Sequence, residues 1–252
     1  MEIAEHIEIL SGQGRLLAAA AAAAGPDAPV PSCPGWVIRD LVRHQGGVHR
    51  WAASIVGTPH TEPWNVGLDE VVGTWPDDAG LVDWFAAGCR ALADVLTSAD
   101  PGLACWTFLA APSPLAMWAR RQAHETAVHR ADAELAAGEM VTACAPGFAA
   151  DGIDELLTCF ITRPGGRLRS EQPKLLRVRC TDAAGDWLVR IGPDGAAATA
   201  AGRAPAAACE VSGTADDLYL GLWHRRSPDR LAVEGDHGVF DLFLDKVRIR
   251  WS

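Results

Sequence analysis

The chain has 252 residues, of which 49% are hydrophobic, enough for one large core or two smaller ones. Its formal charge of −10 argues against a nucleic-acid partner, because phosphate binding requires a basic surface. The same charge gives no support for attachment to an anionic membrane, and no run approaches the roughly 20 apolar residues that span a bilayer.

A first helix is expected over residues 3–24. Its apolar end, 16–24, imitates the core of a signal peptide, but Glu2, Glu5 and Glu8 give the preceding stretch the wrong sign. Gly25, Pro26 and Pro31 break the helix. A second helix follows Pro34 and Gly35. Along 36–55, Val37, Leu41, His44, Val48, Trp51 and Ile55 recur at spacings of four and three, the inward seam of a bundle helix. His44 occupies the middle of that seam, where a hydrophobe is expected, and His49 falls off it. A loop at 57–76 carries Trp64 and Trp75, either as a pocket wall or as packing. A third helix is expected over 81–98, a second loop over 103–114, and a fourth helix over 115–137. Four helices with two substantial loops suit a bundle with ligands converging inside it.

The fourth helix is the unusual one. Trp118, Gln122, Glu125, His129 and Asp132 repeat the four-three spacing, so its seam is polar over three turns. Such a seam is costly inside a bundle unless its groups are paired or bound to something. Glu125, His129 and Asp132 share one helix face. They supply two metal ligands and an acid–base partner, with His44 as the candidate third ligand. Taken alone, the pair Glu125/His129 more readily suits a surface ion pair, and His44 a hydrogen-bonded core histidine. The pattern is not that of a zinc protease. His124 and His129 are five residues apart and about 140° out of phase on a helix, so His124 is expected to face solvent or a neighbouring helix.

Beyond Pro146 the pattern changes. Residues 147–161 are expected to be helical, followed by short strands at 175–180, 187–191, 196–200 and 207–212. A helix at 214–223 has Thr214 as its N-cap. A strand at 231–234, a helix at 236–244 and a final strand at 247–251 complete an α+β second domain. The expected division is 1–143 and 144–252. Seven cysteines without a tight spacing pattern suggest reduced thiols and a cytoplasmic location. Cys33 lies beside the candidate site and is read as a packing thiol.

The segment from Val30 through Pro34, Gly35 and Trp36 to Leu41 and His44 resembles the first signature of the mycothiol-dependent maleylpyruvate isomerase family, within the DinB-like group. Glu125, His129 and Asp132 resemble its second signature, Glu-x-x-x-His-x-x-Asp. The resemblance implies a DinB-like four-helix bundle followed by a small α+β domain. It also implies a divalent metal, usually zinc, held by His44, Glu125 and His129, with Asp132 as an acid–base or orienting group. The thiol cosubstrate it implies is mycothiol. The family also places arginine from its C-terminal domain near substrate. Arg225 and Arg226 resemble that element, and arginine suits a carboxylate because its fork engages both oxygens.

Three protein ligands leave a position open, where a thiol would lose its proton. Attack on a small electrophile then gives S-transfer, the leading expectation. Addition, rotation and elimination gives cis–trans isomerisation, such as that of maleylpyruvate. A metal-dependent hydrolase and a non-catalytic metal- or ligand-binding module are further alternatives. Nickel, iron or cobalt would accept the same donors. With no coiled-coil seam, a monomer is expected.

Overall fold

The computed structural model describes residues 1–58, 60–202 and 206–249. They form an α+β protein with two compact units, Met1–Thr142 and Ala143–Ser252. The first unit holds α1 (Ile3–Ala24), α2 (Ile38–Gly57), a short α3 (Leu68–Val72), α4 (Asp78–Ser98) and α5 (Pro114–Ala136). The four long helices make the bundle. No helix among the described residues is long and apolar enough to cross a membrane.

Local chemistry sets where these helices begin. Asp77 caps α4 by accepting from the Gly80 N–H, which starts the helix three residues earlier than the apolar pattern alone implies. Ser113 caps α5 in the same way, and Pro114 occupies its first turn, where a missing N–H costs nothing. Before α2, Val37 is held extended by a bridge to Pro29, so the helix starts at Ile38 rather than at Trp36. The Asp40 carboxylate accepts the Val37 N–H at 3.0 Å and secures that start.

The buried face of α2 is rotated from the expected seam. Ile38, Leu41, Val42, Gln45, His49, Ala52 and Ile55 are buried, while His44 and Val48 lie at its margin. His49 is therefore an interior residue, contrary to its expected place off the seam. Helix α5 is buried nearly all round, from Leu115 to Glu134. Its polar seam is enclosed by the rest of the bundle. His124 is buried and faces α1, its ring 6.0 Å from that of His6.

Helices α2 and α4 meet closely through small residues. The Arg50 guanidinium lies 3.7 Å from the Trp84 ring centroid and donates to the carbonyls of Gly46 and Trp84. A Cβ at Gly46 would sit 2.2 Å from the Trp84 ring, and one at Gly88 would sit 2.3 Å from Arg50.

The second unit contains α6 (Pro146–Asp154), a π-helical segment (Glu155–Phe160), β1 (Lys174–Cys180), β2 (Asp186–Gly192), β3 (Gly195–Ala200), β4 (Cys209–Gly213), α7 (Ala215–Leu222), β5 (Ala232–Gly235) and α8 (His237–Lys246). The sheet order is β3-β2-β1-β4-β5, antiparallel except for the β1–β4 pair. Register places Leu176 opposite Val189 and Cys209, and Val178 opposite Trp187 and Val211, which gathers the buried side chains on one face. Arg177, Arg179, Asp186 and Glu210 pair on the other. The expected final strand is absent over 247–249, and 250–252 lie outside the described residues.

The close α2–α4 contact yields a direct expectation. Gly46→Ala forces a methyl group into the Trp84 ring and should lower stability by about 1–3 kcal/mol. Urea unfolding of both proteins checks this.

Candidate metal centre

Three side chains of the first unit converge. His44 Nε2 lies 3.8 Å from Glu125 Oε1, and His129 Nε2 lies 3.4 Å from the same oxygen. One donor atom from each residue falls within 4.8 Å of the other two. A tetrahedral ion about 2.1 Å from each donor would space its ligands by about 3.4 Å. The donors therefore match a single divalent ion in spacing, and two imidazoles with one carboxylate match it in chemistry.

The surroundings prepare each donor. Arg121, one turn before Glu125, places Nη2 2.9 Å from Glu125 Oε2, which leaves Oε1 to face the two histidines. Burial would push the Glu125 carboxyl upward, but Arg121, His129 and His44 outweigh it and hold it well below the usual carboxylate range. Glu125 is thus an enclosed anion. Burial would likewise depress His129, but hydrogen bonds to Asp132 and Glu125 prevail and raise it to about 8.

Asp132 is fully buried and accepts on both oxygens. Oδ1 accepts from the Ser32 hydroxyl, while Oδ2 lies 2.8 Å from His129 Nδ1 and 3.5 Å from the Cys33 thiol. In the neutral imidazole, an Nδ1–H donated to Asp132 leaves the Nε2 lone pair facing Glu125 and His44. Cys33, His129 and Asp132 also cluster closely enough to suggest ligation. Their 2.8 Å nitrogen–oxygen separation, however, is that of a hydrogen bond rather than of two ligands sharing an ion.

The turn leading into α2 delivers these partners. Val30 N–H donates to the Trp36 carbonyl at 2.9 Å, and Trp36 N–H donates to that of Cys33 at 3.0 Å. This fixes Ser32 and Cys33 over Asp132. It also sets the Trp36 ring 5.1 Å from the His44 ring and stacks it 6.4 Å from that of His129. An open groove of about 510 Å³ borders His44, lined by Trp36, Arg43, Leu68, Asp69 and Trp75. Trp75, held by its indole N–H to Asp69 Oδ1 at 2.8 Å, is therefore a groove wall. Trp64 instead stacks on His60.

The structure thus brings His44, Glu125, His129 and Asp132 together. Arg121, Ser32 and Arg43 join them and are not among the residues expected from the sequence. Arg121 was detectable, standing four residues before Glu125 on the same stripe, but Ser32 is a hundred residues from Asp132 and carries no local signal. Arg225 and Arg226 lie in the second unit and are engaged there. Helix α7 ends in a Schellman pairing, with His224 at φ 61°, Arg225 N–H donating to Leu220 and His224 N–H to Gly221. Arg226 Nη1 is clamped by Asp216 at 2.6 Å and Asp217 at 2.8 Å. Arg225 Nη1 donates to the Trp223 carbonyl at 2.7 Å. Arg226 Nη1 thus has two aspartate partners within its own unit.

In metal-free protein, His129 has a folded pKa above its ordinary value. Its contribution to stability is full below about pH 6.5 and is lost as pH rises through about 8. Between pH 6 and 9 the wild type should lose on the order of 1–2 kcal/mol more than His129→Gln does. Equal losses in denaturant titrations would contradict this electrostatic reading.

The sequence matches the model of the mycothiol maleylpyruvate isomerase N-terminal domain over residues 8–134 and that of the corresponding C-terminal domain over 147–242. No curated protein sequence matches significantly. Among solved structures, a crystal structure of the mycothiol-dependent maleylpyruvate isomerase is similar with a TM-score of 0.63 and 11% identity, covering 93% of each chain. A histidine-to-alanine mutant of that enzyme gives a TM-score of 0.64 and 10% identity at the same coverage. At such identity the structural likeness speaks for the fold alone, whereas the two sequence models together span most of the chain. The chain belongs to the mycothiol maleylpyruvate isomerase family.

Proposed function

We propose that this protein is a divalent-metal enzyme, with zinc the expected ion, that uses mycothiol as a nucleophilic cosubstrate toward a small conjugated electrophile. The observation that carries the proposal is the convergence of His44, Glu125 and His129 on one ion-sized space, with Glu125 backed by buried Arg121 and His129 by buried Asp132. A divalent ion there would favour the thiolate form of a thiol entering its open position. His44 and His129 are neutral as ligands and Glu125 carries one negative charge. The donor set therefore leaves a net positive charge that one thiolate neutralises.

Between the two outcomes open to such a thiolate, the reading favoured is cis–trans isomerisation rather than the S-transfer expected from the sequence. In isomerisation, sulfur bonds to one carbon of a cis double bond and the displaced electron pair moves onto the conjugated carbonyl. Rotation follows about the resulting single bond. Return of the pair re-forms the double bond and expels the thiolate unchanged. No proton has to reach carbon. Completed addition requires one, and Asp132, the acid expected to deliver it, is enclosed with both oxygens already engaged. The same enclosure weakens the hydrolase reading, which needs Asp132 to take a proton from water. Asp132 instead serves as the positioning residue for His129. The family's two matched domains support the same preference. Trp36 and Trp75 border the groove through which a planar conjugated substrate would approach His44.

With maleylpyruvate and mycothiol, zinc-loaded wild type should catalyse isomerisation while the thiol titre stays constant. Stoichiometric loss of thiol would establish S-transfer instead. His44→Ala should lose zinc together with more than about 100-fold of kcat/KM, since a metal's charge stabilisation amounts to several kcal/mol. Full turnover by metal-free His44→Ala would overturn the mechanism.

A further inference from the structure

Beside the candidate ligands, between the two helices that supply them, lies a buried polar triangle. Gln45 follows His44 on α2, and Thr126 follows Glu125 on α5. Gln45 Nε2 is 2.9 Å from His49 Nε2 and 3.1 Å from Thr126 Oγ1, and His49 Nε2 is 2.9 Å from the same hydroxyl oxygen. All three residues are fully buried, and His49 stacks against Phe85 of α4.

Counting hydrogens narrows the roles. The Thr126 hydroxyl has one hydrogen, and it donates to the Gln122 carbonyl at 2.7 Å. Toward α2, Thr126 Oγ1 is therefore an acceptor, taking an N–H from the Gln45 amide at 3.1 Å. Burial, aided by Arg50, depresses His49 to about 3, so the ring is neutral, and its Nε2 serves one of two roles: as acceptor it takes the second Gln45 N–H, and as donor it gives to Thr126 Oγ1. In either role, Gln45 and His49 of α2 are tied to one oxygen of α5, directly or through each other. Gln45 Oε1, His49 Nδ1 and Gln122 Oε1 have no partner among the described residues.

A half-satisfied polar knot is a poor source of stability, and apolar packing of the same volume would serve a bundle core better. Its location supplies a reason for it. Helix α5 packs chiefly on α1, and α2 chiefly on α4, so the α2–α5 contact is slight. Yet the candidate donors come from α2 and α5. Apolar contacts tolerate sliding, whereas bonds of about 3 Å to a single oxygen do not.

We infer that Gln45, His49 and Thr126 form a positioning device. It fixes α2 against α5 and thereby sets the distance from His44 to Glu125 and His129, with Thr126 Oγ1 as its pivot. The inference rests on the metal reading above.

The test loads metal-free wild type, Thr126→Ser and Thr126→Val with cobalt(II), following visible absorption, affinity and thermal melting of the apo forms. Thr126→Ser should match wild type in spectrum and bind within about twofold. Thr126→Val should bind roughly 10- to 100-fold more weakly, the scale seen for groups that orient metal ligands, with a changed absorption band and a cooperative apo transition. Should Thr126→Val fail to fold, Gln45→Met, which keeps the length and removes the amide, should show the same weakening. A folded variant with the wild-type spectrum and affinity would overturn the positioning role while leaving the metal site standing. Wild type without cobalt absorption dependent on His44 would overturn the metal reading and this inference with it.

Discussion

A carboxylate enclosed inside a helical bundle has to be met by positive charge or by hydrogen-bond donors, because burial of an uncompensated anion costs several kcal/mol. Glu125 is that carboxylate, and the arrangement of the first unit follows from satisfying it. Arg121 takes one oxygen. The other faces two imidazoles, one of which is raised to about 8 and so supplies a charge of its own in the metal-free protein. A divalent ion would replace that proton and give the oxygen a stronger partner. The same four groups would thus serve both a metal-free and a metal-loaded state. This explains how a helix as polar as α5 can occupy the centre of a fold.

The remaining parts support this centre from further out. Asp132 would be a second uncompensated carboxylate were it not for Ser32, Cys33 and His129. The lead-in turn of α2 has to be rigid to hold the first two in place, which accounts for its proline, its glycine and its backbone bonds. Trp36 closes that turn and covers both imidazoles. Helix α4 contributes no donor, but it sets the depth of α2 through Gly46, Trp84 and Arg50.

Much of this was legible in the amino-acid order, and the reasons differ from residue to residue. Glu125, His129 and Asp132 lie on one helix, where spacing alone decides which side chains are neighbours. His44 stands out as a histidine in an apolar seam. The structure turns that seam so that His44 stands at its margin and His49 within it, yet His44 still reaches Glu125. Periodicity resolves a helix face only to about a third of a turn, too coarse to rank two inward histidines. The partners of Asp132 depend on a contact between a turn and a distant helix, which no local pattern encodes. The strands of the second unit followed alternation and turn residues, whereas the widening of α6 into a π-helical segment has no comparable signal. The place of Arg226 near substrate rests on resemblance alone, and its pairing with Asp216 and Asp217 across the end of α7 follows no simple spacing rule.

X-ray absorption at the zinc edge of the zinc-loaded protein addresses the central claim most directly. The account predicts a first coordination shell of nitrogen and oxygen only, with the scattering pattern of two imidazoles. One imidazole should be lost in His44→Gln. Sulfur in that shell in the absence of added thiol would place the ion at Cys33 rather than at His44. That result would contradict the assignment of His44, Glu125 and His129 as the metal-binding set.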